Sequence, residues 1–307
     1  MSEHGGTKAV LAALFANLGI AITKFIAFLV TGSSSMLAES VHSVADTGNQ
    51  ALLIIGGRRA RRERDRSHPF GYGRERYFYA FIVSLVLFSA GGIFALLEGF
   101  ERVRHPHEVE DAWVAIGVLL VAIVMESLSF RTARAESIPL KGNASWFEFI
   151  RRTKNPELPV VLLEDSAALC GLAFALFGVC LASVTGNGRW DGVGSLAIGA
   201  LLVVVAVILA VETKSLLIGE SASADVEHAI VEALLAGAEV DRVIHLRTLH
   251  LGPEELLVAA KIAVAHDNTA DTVAKGIDAA ERRVRAAVGL RTVIYLEPDL
   301  DRGAATG

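Results

Sequence analysis

Residues 38–50 read AESVHSVADTGNQ, which sets a glutamate, a histidine and an aspartate inside an otherwise apolar stretch. On a helix turning 100° per residue, Glu39, His42 and Asp46 fall within roughly 60° of one another, with Ser35, Asn49 and Gln50 on the same side. Met36, Leu37, Val41, Val44 and Leu52 form the apolar side. His42 and Asp46, one helical turn apart, can offer an imidazole nitrogen and a carboxylate oxygen to a single ion. Such donors suit Zn2+, which takes nitrogen and oxygen ligands at about 2.0–2.2 Å in tetrahedral sites. The plainer alternative is a buried His–Asp hydrogen bond that locks helix packing. Ionisable groups are costly within a bilayer, so a stripe this polar must face a bundle interior or a wet cavity, which favours function.

A second helix has to complete the coordination. Residues 161–169, VLLEDSAAL, supply Glu164 and Asp165. Adjacent helical residues differ in direction by about 100°, so only one of the two can point squarely at a shared site. Asp165 is the expected ligand. Three roles are open to Glu164: approaching the ion, carrying a proton, or bonding a neighbouring helix. Two acids near a helix end and water remain the structural alternative. Asn17 can approach the ion or hydrogen-bond across helices. Glu126 in MESLSF and Glu98 in LLEGF interrupt apolar runs and are candidates for a proton path, with simple hydration near a membrane face as the alternative for Glu98. His105 and His107 flank Pro106 in the 101–111 loop and read as ordinary loop residues, with a weak contact for a released metal as the alternative.

The elements that must position these groups are membrane helices. The chain has 307 residues, 52% of them hydrophobic, and a mean hydropathy of +0.47, which points to a polytopic membrane protein. Runs near 8–30, 35–57, 77–100, 112–131, 158–184 and 191–214 are long enough to cross a bilayer core, which takes about 20 residues. The loops at 58–76 and 131–157 are rich in arginine and lysine, whereas 31–34, 101–111 and 185–190 carry few. The positive-inside rule therefore puts both long loops and both termini in the cytoplasm. A net charge of −5, without basic stretches interleaved with aromatics, gives no sign of nucleic-acid binding. Cys170 and Cys180 would lie about 15 Å apart on one helix, too far for a disulfide. MSEHGGTK lacks a cationic leader and no cleavage site follows, so the first helix is expected to stay. No HExxH motif or phosphate-cradling glycine loop suggests an enzyme.

After Gly219 the pattern changes. Residues 223–236 read as an amphipathic helix, and 242–251 and 255–265 as strands joined by the turn GPE. A helix over 270–288 places Val273, Ile277, Val284 and Val288 on one face, with Gly289 as C-cap, and a strand over 291–297 stops at Pro298. The order α-β-β-α-β over about 80 residues suits a small α+β domain with helices on one face of a sheet. The expected fold class is membrane all-α, with six transmembrane helices over 1–219 and a cytoplasmic, ferredoxin-like α+β domain over 220–301 that dimerises.

HSVAD at 42–46, HPFGYGRERY at 68–77, LLEDSAALCG at 162–171, WDGVGSLAIG at 190–199 and ETKSLLIGESA at 212–222, taken with the small tail, resemble the cation diffusion facilitator family of metal transporters. The likeness is greatest to the branch that includes zinc transporter 9. The resemblance implies a ligand pair on the second span, matched by His42 and Asp46, and another on the fifth. There Asp165 matches the second position, but Val161 stands at the first and cannot ligate. Three ligands thus stand in place of four, with water, Glu164, Glu39 or Asn17 available as the fourth. The resemblance also implies a loop metal site matched by Asp65 and His68; Tyr72 stands where a second histidine is often found, and a turn fixed by Pro69, Gly71 and Gly73 is the alternative. In the tail the family's metal positions become Ile244, Ala260 and Tyr295, so dimer contact is expected in place of metal sensing. His245, His250 and His266 are expected as surface or strand residues.

The resulting expectation is secondary active Zn2+/H+ antiport by alternating access, in a bacterial cytoplasmic membrane, with a mitochondrial membrane left open. Mn2+, Co2+, Fe2+ and Ni2+ are alternative cargoes for a mixed nitrogen and oxygen site. The rival from another class is a non-transporting regulator or scaffold. Metal ligands bind deprotonated, so loading the site would release protons.

Overall fold

The computed structural model describes residues 3–107, 109, 111–265 and 268–300, with side chains from Asn17 onward. His266, and residue 301 at the expected end of the tail domain, lie outside the described residues. Contacts divide the chain into two compact units, Met1–Arg58 with Arg76–Lys214, and Arg59–Glu75 with Ser215 onward.

The first unit is helical. Its helices are α1 (Glu3–Thr31), α2 (Ser34–Ala60), α3 (Glu75–Val86), α4 (Phe94–Arg104), α5 (Ala112–Lys141), α6 (Trp146–Arg152), α7 (Glu157–Thr185) and α8 (Arg189–Ile218). A π-helical stretch, Leu87–Ile93, joins α3 and α4 into one continuous segment. The six expected runs thus all appear as long helical segments. Four of them, Glu75–Arg104, α5, α7 and α8, are long and apolar enough to cross a membrane. The apolar part of α1, Asn17–Thr31, is shorter. Helix α2 has the length but carries the polar stripe.

Small side chains let these helices approach closely. Ala80, Ala95, Ala115, Ala167, Ala175 and Ala206 are buried together with Leu119, Leu172 and Leu209. Close approach through small residues is how helices associate where lipid tails give no hydrophobic drive. Leu29, Val121, Leu128, Phe177, Val184 and Val211 point outward, as lipid-facing residues do. Met36, assigned above to the apolar back of α2, is fully buried in this core. At 100° per residue it stands only about 60° from Glu39, so it belongs beside the polar stripe.

Helix α5 continues ten residues past the expected end at 131. Hydropathy falls there, but TARAESIPLK is mostly good helix former, and Pro139 comes too late to stop it. Helix α6 was not expected. Its signal is the capping box SWFE, in which Ser145 Oγ accepts from Glu148 N at 3.1 Å.

In the second unit α9 (Ala224–Leu235) and α10 (Ala270–Ala287) pack with β1 (Arg242–Gly252), β2 (Glu255–Val264) and β3 (Arg291–Leu300). β1 pairs antiparallel with β2, and β2 pairs parallel with β3. Leu256, Val258, Ala260 and Ile262 alternate onto the face covered by Ile230, Leu234, Ala280 and Val284. Two expectations fail here. Helix α10 ends on Val288 in an extended conformation, and Gly289 has no positive φ. Strand β3 runs through Pro298 to Leu300, because β3 is an edge strand and a missing N–H on its open side breaks no ladder bond. The arginine-rich loop joins this unit. Arg64 pairs with Glu255, and a Cβ on Gly73 would stand 2.6 Å from the Leu251 carbonyl oxygen, so the backbones meet only because residue 73 has no side chain.

Candidate metal site

Helices α1, α2, α5 and α7 supply the ionisable groups of the first unit. Helix α5 packs along α7 and α1. Helix α2 meets α7 at two heights: Glu39 lies against Gly171, where a Cβ would stand 2.7 Å from Glu39 Oε1, and Asn49 Nδ2 donates to Glu164 Oε1 at 2.6 Å. The two helices therefore run antiparallel, in a register that sets Asp46 level with Asp165.

His42 is 1% exposed and Asp46 16%. Their Nδ1 and Oδ1 atoms stand 3.4 Å apart, within ion-pair reach. The alignment is not that of a hydrogen bond, because both His42 nitrogens and Asp46 Oδ1 are buried with no hydrogen-bond partner among the described residues. Glu39 Oε1 and Asn49 Oδ1 are in the same condition. Such atoms are expensive unless something else satisfies them. Beside them is a small cavity lined by Asn17, Ile20, Ser43, Asp46 and Glu126. Asn17 of α1 and Glu126 of α5 thus reach the same space as Asp46.

The fifth-span acids are held differently. Asp165 is buried and its Oδ2 accepts from Ser129 Oγ of α5 at 3.0 Å. Glu164, also buried, is the acid bonded directly to α2, through Asn49. Of the three roles open to Glu164, helix-to-helix bonding is the one occupied in this conformation. The charges of Asp46, Glu126, Glu164 and Asp165 lie within electrostatic reach of one another. Even so, no three His, Cys, Asp or Glu side chains among the described residues converge closely enough to hold an ion. His42 and Asp46 stand together on α2, while Asp165 faces Ser129 from α7. Val161 packs against the apolar core.

Three further expectations can be placed. Glu39 is paired with a residue the sequence reading passed over: Lys24 Nζ of α1 donates to Glu39 Oε2 at 3.0 Å and to Ser43 Oγ at 2.8 Å. Lys24 and Glu39 are both fully buried. A lone lysine in AITKFIAF was signal enough, since an ionisable residue inside a span is a site candidate by default. Ser129 gave no such signal.

Asp65 is occupied as a turn. Its Oδ1 accepts from the Ser67 and His68 backbone N–H groups, and its Oδ2 from the Tyr72 hydroxyl. The Tyr72 hydrogen bond, followed by that of the His68 N–H, holds the Asp65 carboxyl below the usual carboxylate range. His68 stacks on Tyr72 with ring centroids 4.3 Å apart. In the tail, Ala260 is buried in the sheet core and Tyr295 is exposed; His245 is exposed and His250 buried, both on β1.

The comparisons agree with this architecture. Residues 10–218 match the family described as the cation efflux transmembrane domain. "Proton-coupled zinc antiporter SLC30A9, mitochondrial" of Xenopus laevis is 32% identical over 265 residues, 85% of this chain and 47% of that protein. "Metal tolerance protein C4" of Arabidopsis thaliana is 30% identical over 273 residues, 85% of this chain and 58% of its own length. "Cation-efflux pump FieF" of Serratia proteamaculans (strain 568) is 25% identical over 250 residues, 81% and 78% of the two chains. This chain spans about half the length of the antiporter it matches.

Proposed function

We propose, since this chain belongs to the cation efflux family and is a multi-pass membrane protein, that it exports a divalent metal cation, with Zn2+ as cargo and protons as the counter-ion. The observation that carries this reading is the set of buried nitrogen and oxygen atoms on His42 and Asp46 that find no hydrogen-bond partner among the described residues. Asp46 lines a cavity shared with Asn17 and Glu126, in a bundle where a costly polar stripe needs a purpose. The names of two relatives, a proton-coupled zinc antiporter and a cation-efflux pump, point the same way.

In this reading His42 and Asp46 take the ion first, and Asp165 leaves Ser129 to close over it. Alternating access would separate the two halves again on the far side. The ligands must shed protons to bind, so loading the ion releases protons and unloading it takes them up. A proton gradient then drives export. Glu126, on the same cavity as Asp46, is placed to relay those protons.

The same proposal assigns residues 1–219 to transport and 220–301 to a cytoplasmic domain that pairs with a second copy. The arginine-rich segment and the asymmetry of the loops support cytoplasmic termini. Zinc uptake into inside-out vesicles with an acidic interior tests the function. Uptake should follow the imposed pH gradient and vanish in Asp46→Ala combined with Asp165→Ala. Full-rate uptake in that double variant would overturn the assignment.

A further inference from the structure

The buried Lys24–Glu39 pair is one hydrogen bond away from the cavity beside Asp46, through Ser43. Lys24 Nζ is tied to Glu39 Oε2 and to Ser43 Oγ, and Ser43 itself lines the cavity with Asp46 and Glu126. On α2 the residues Glu39, His42, Ser43 and Asp46 follow one another along a single face, so the ammonium is anchored one turn from the expected ligands. Its charge reaches His42, Asp46 and Glu126. A fully buried ion pair is an expensive way to hold two helices together, because a packed apolar pair usually serves as well or better. Packing alone therefore does not explain it.

We propose that Lys24 is the tethered counter-cation of the cargo cavity: its ammonium occupies Glu39, keeps that carboxylate out of the ion's coordination shell, and so weakens binding enough for the ion to leave. The proposal rests on the reading of His42 and Asp46 as cargo ligands. Its logic is electrostatic. Glu39, Glu126, Glu164 and Asp165 all lie within electrostatic reach of Asp46, and without a fixed positive charge this much negative charge would hold a divalent cation too tightly to release. A conduction site must bind strongly enough to load and weakly enough to discharge. Glu39 Oε1 is buried without a hydrogen-bond partner among the described residues, and Gly171 leaves space over it, so a Glu39 released from Lys24 has an oxygen ready for metal. Lys24 is thus a positioning residue that acts through Glu39.

The test is Zn2+ affinity of the purified full-length protein, measured at fixed pH and salt, together with KM and kcat for vesicle uptake. Lys24→Met frees Glu39 and should tighten Zn2+ binding by about tenfold, with kcat falling as KM falls. Glu39→Gln leaves the ammonium without its carboxylate and should weaken binding by about tenfold. Lys24→Met combined with Glu39→Met removes both charges and should bring affinity most of the way back to that of the unchanged protein. A purely structural pair would move both single variants in the same direction. That result, or folded single variants with unchanged affinity, overturns the proposal. If Lys24→Met does not fold, Glu39→Gln against the double variant decides: the double variant should bind about tenfold more tightly, and equal affinity overturns the proposal. His42→Ala and Asp46→Ala separate the two layers. If they bind Zn2+ unchanged, the cargo-site reading fails; if they lose it while the Lys24 and Glu39 variants do not respond, only the role of Lys24 fails.

Discussion

Helix α2 carries two buried polar clusters that are satisfied to very different degrees. At its start, Asp191 from α8 takes Ser33 Oγ at 2.7 Å, Ser34 N at 2.6 Å, Ser34 Oγ at 2.9 Å and Ser35 N at 3.2 Å, with Arg102 Nε at 4.0 Å. Arg102 also donates to the Gly32 carbonyl oxygen. The acid serves as an N-cap supplied from another helix, where free N–H groups and the helix dipole favour negative charge. Two turns further on, both nitrogens of His42, Asp46 Oδ1 and Glu39 Oε1 hydrogen-bond to no protein group among the described residues. The first cluster is complete within the protein and therefore structural. The second leaves those atoms open, as the proposed cargo site requires. Burial of polar groups alone does not separate a fastening from a binding site; satisfaction does.

Substitutions can break that contrast, and on the stability axis their expected effects run from large to small. Asp191→Ala strands several serine donors and the Arg102 charge in a fully buried place and should cost about 3–5 kcal/mol, read as a large fall in thermal midpoint in detergent. Asn49→Ala leaves Glu164 without its α2 donor and should cost about 1–3 kcal/mol by the same measurement. Asp46→Ala removes an acid whose Oδ1 has no hydrogen-bond partner among the described residues, so the midpoint should stay within about 1 kcal/mol of the parent or rise, while vesicle uptake is lost. A collapse of Asp46→Ala as severe as that of Asp191→Ala would erase the distinction between the two clusters.

The smallest effect is expected outside the bundle. The Asp65 carboxyl sits below its ordinary 3.8 because it is charged while accepting from Tyr72 and His68. Its contribution to stability is therefore present above that ordinary value and is lost as pH falls through the depressed one. Tyr72→Phe should raise the Asp65 pKa towards 3.8, seen by carboxyl-carbon NMR, and leave neutral-pH uptake unchanged. An Asp65 titration that does not move would contradict the hydrogen bond's role.

Much of the fold was legible in the sequence because hydropathy and period report burial directly. The six apolar runs, the tail's strand order and the polar face of α2 all come from residue patterns that hold without knowledge of neighbours. What was not legible depended on pairs distant in sequence. Nothing near Asp191 announces that it caps a helix 157 residues away. Nothing in SLSF marks Ser129 as the partner of Asp165. Pro298 misled because edge position is a property of the sheet and not of the strand. Lys24 could have been read from its type and depth alone, but its partner Glu39 could not.

X-ray absorption at the zinc edge of the loaded, purified protein would test most directly whether the unsatisfied atoms on α2 are where the cargo binds. The prediction is a first shell of nitrogen and oxygen with an imidazole signature that disappears in His42→Ala. An imidazole signature that survives that substitution unchanged, or a shell containing sulfur, would contradict it.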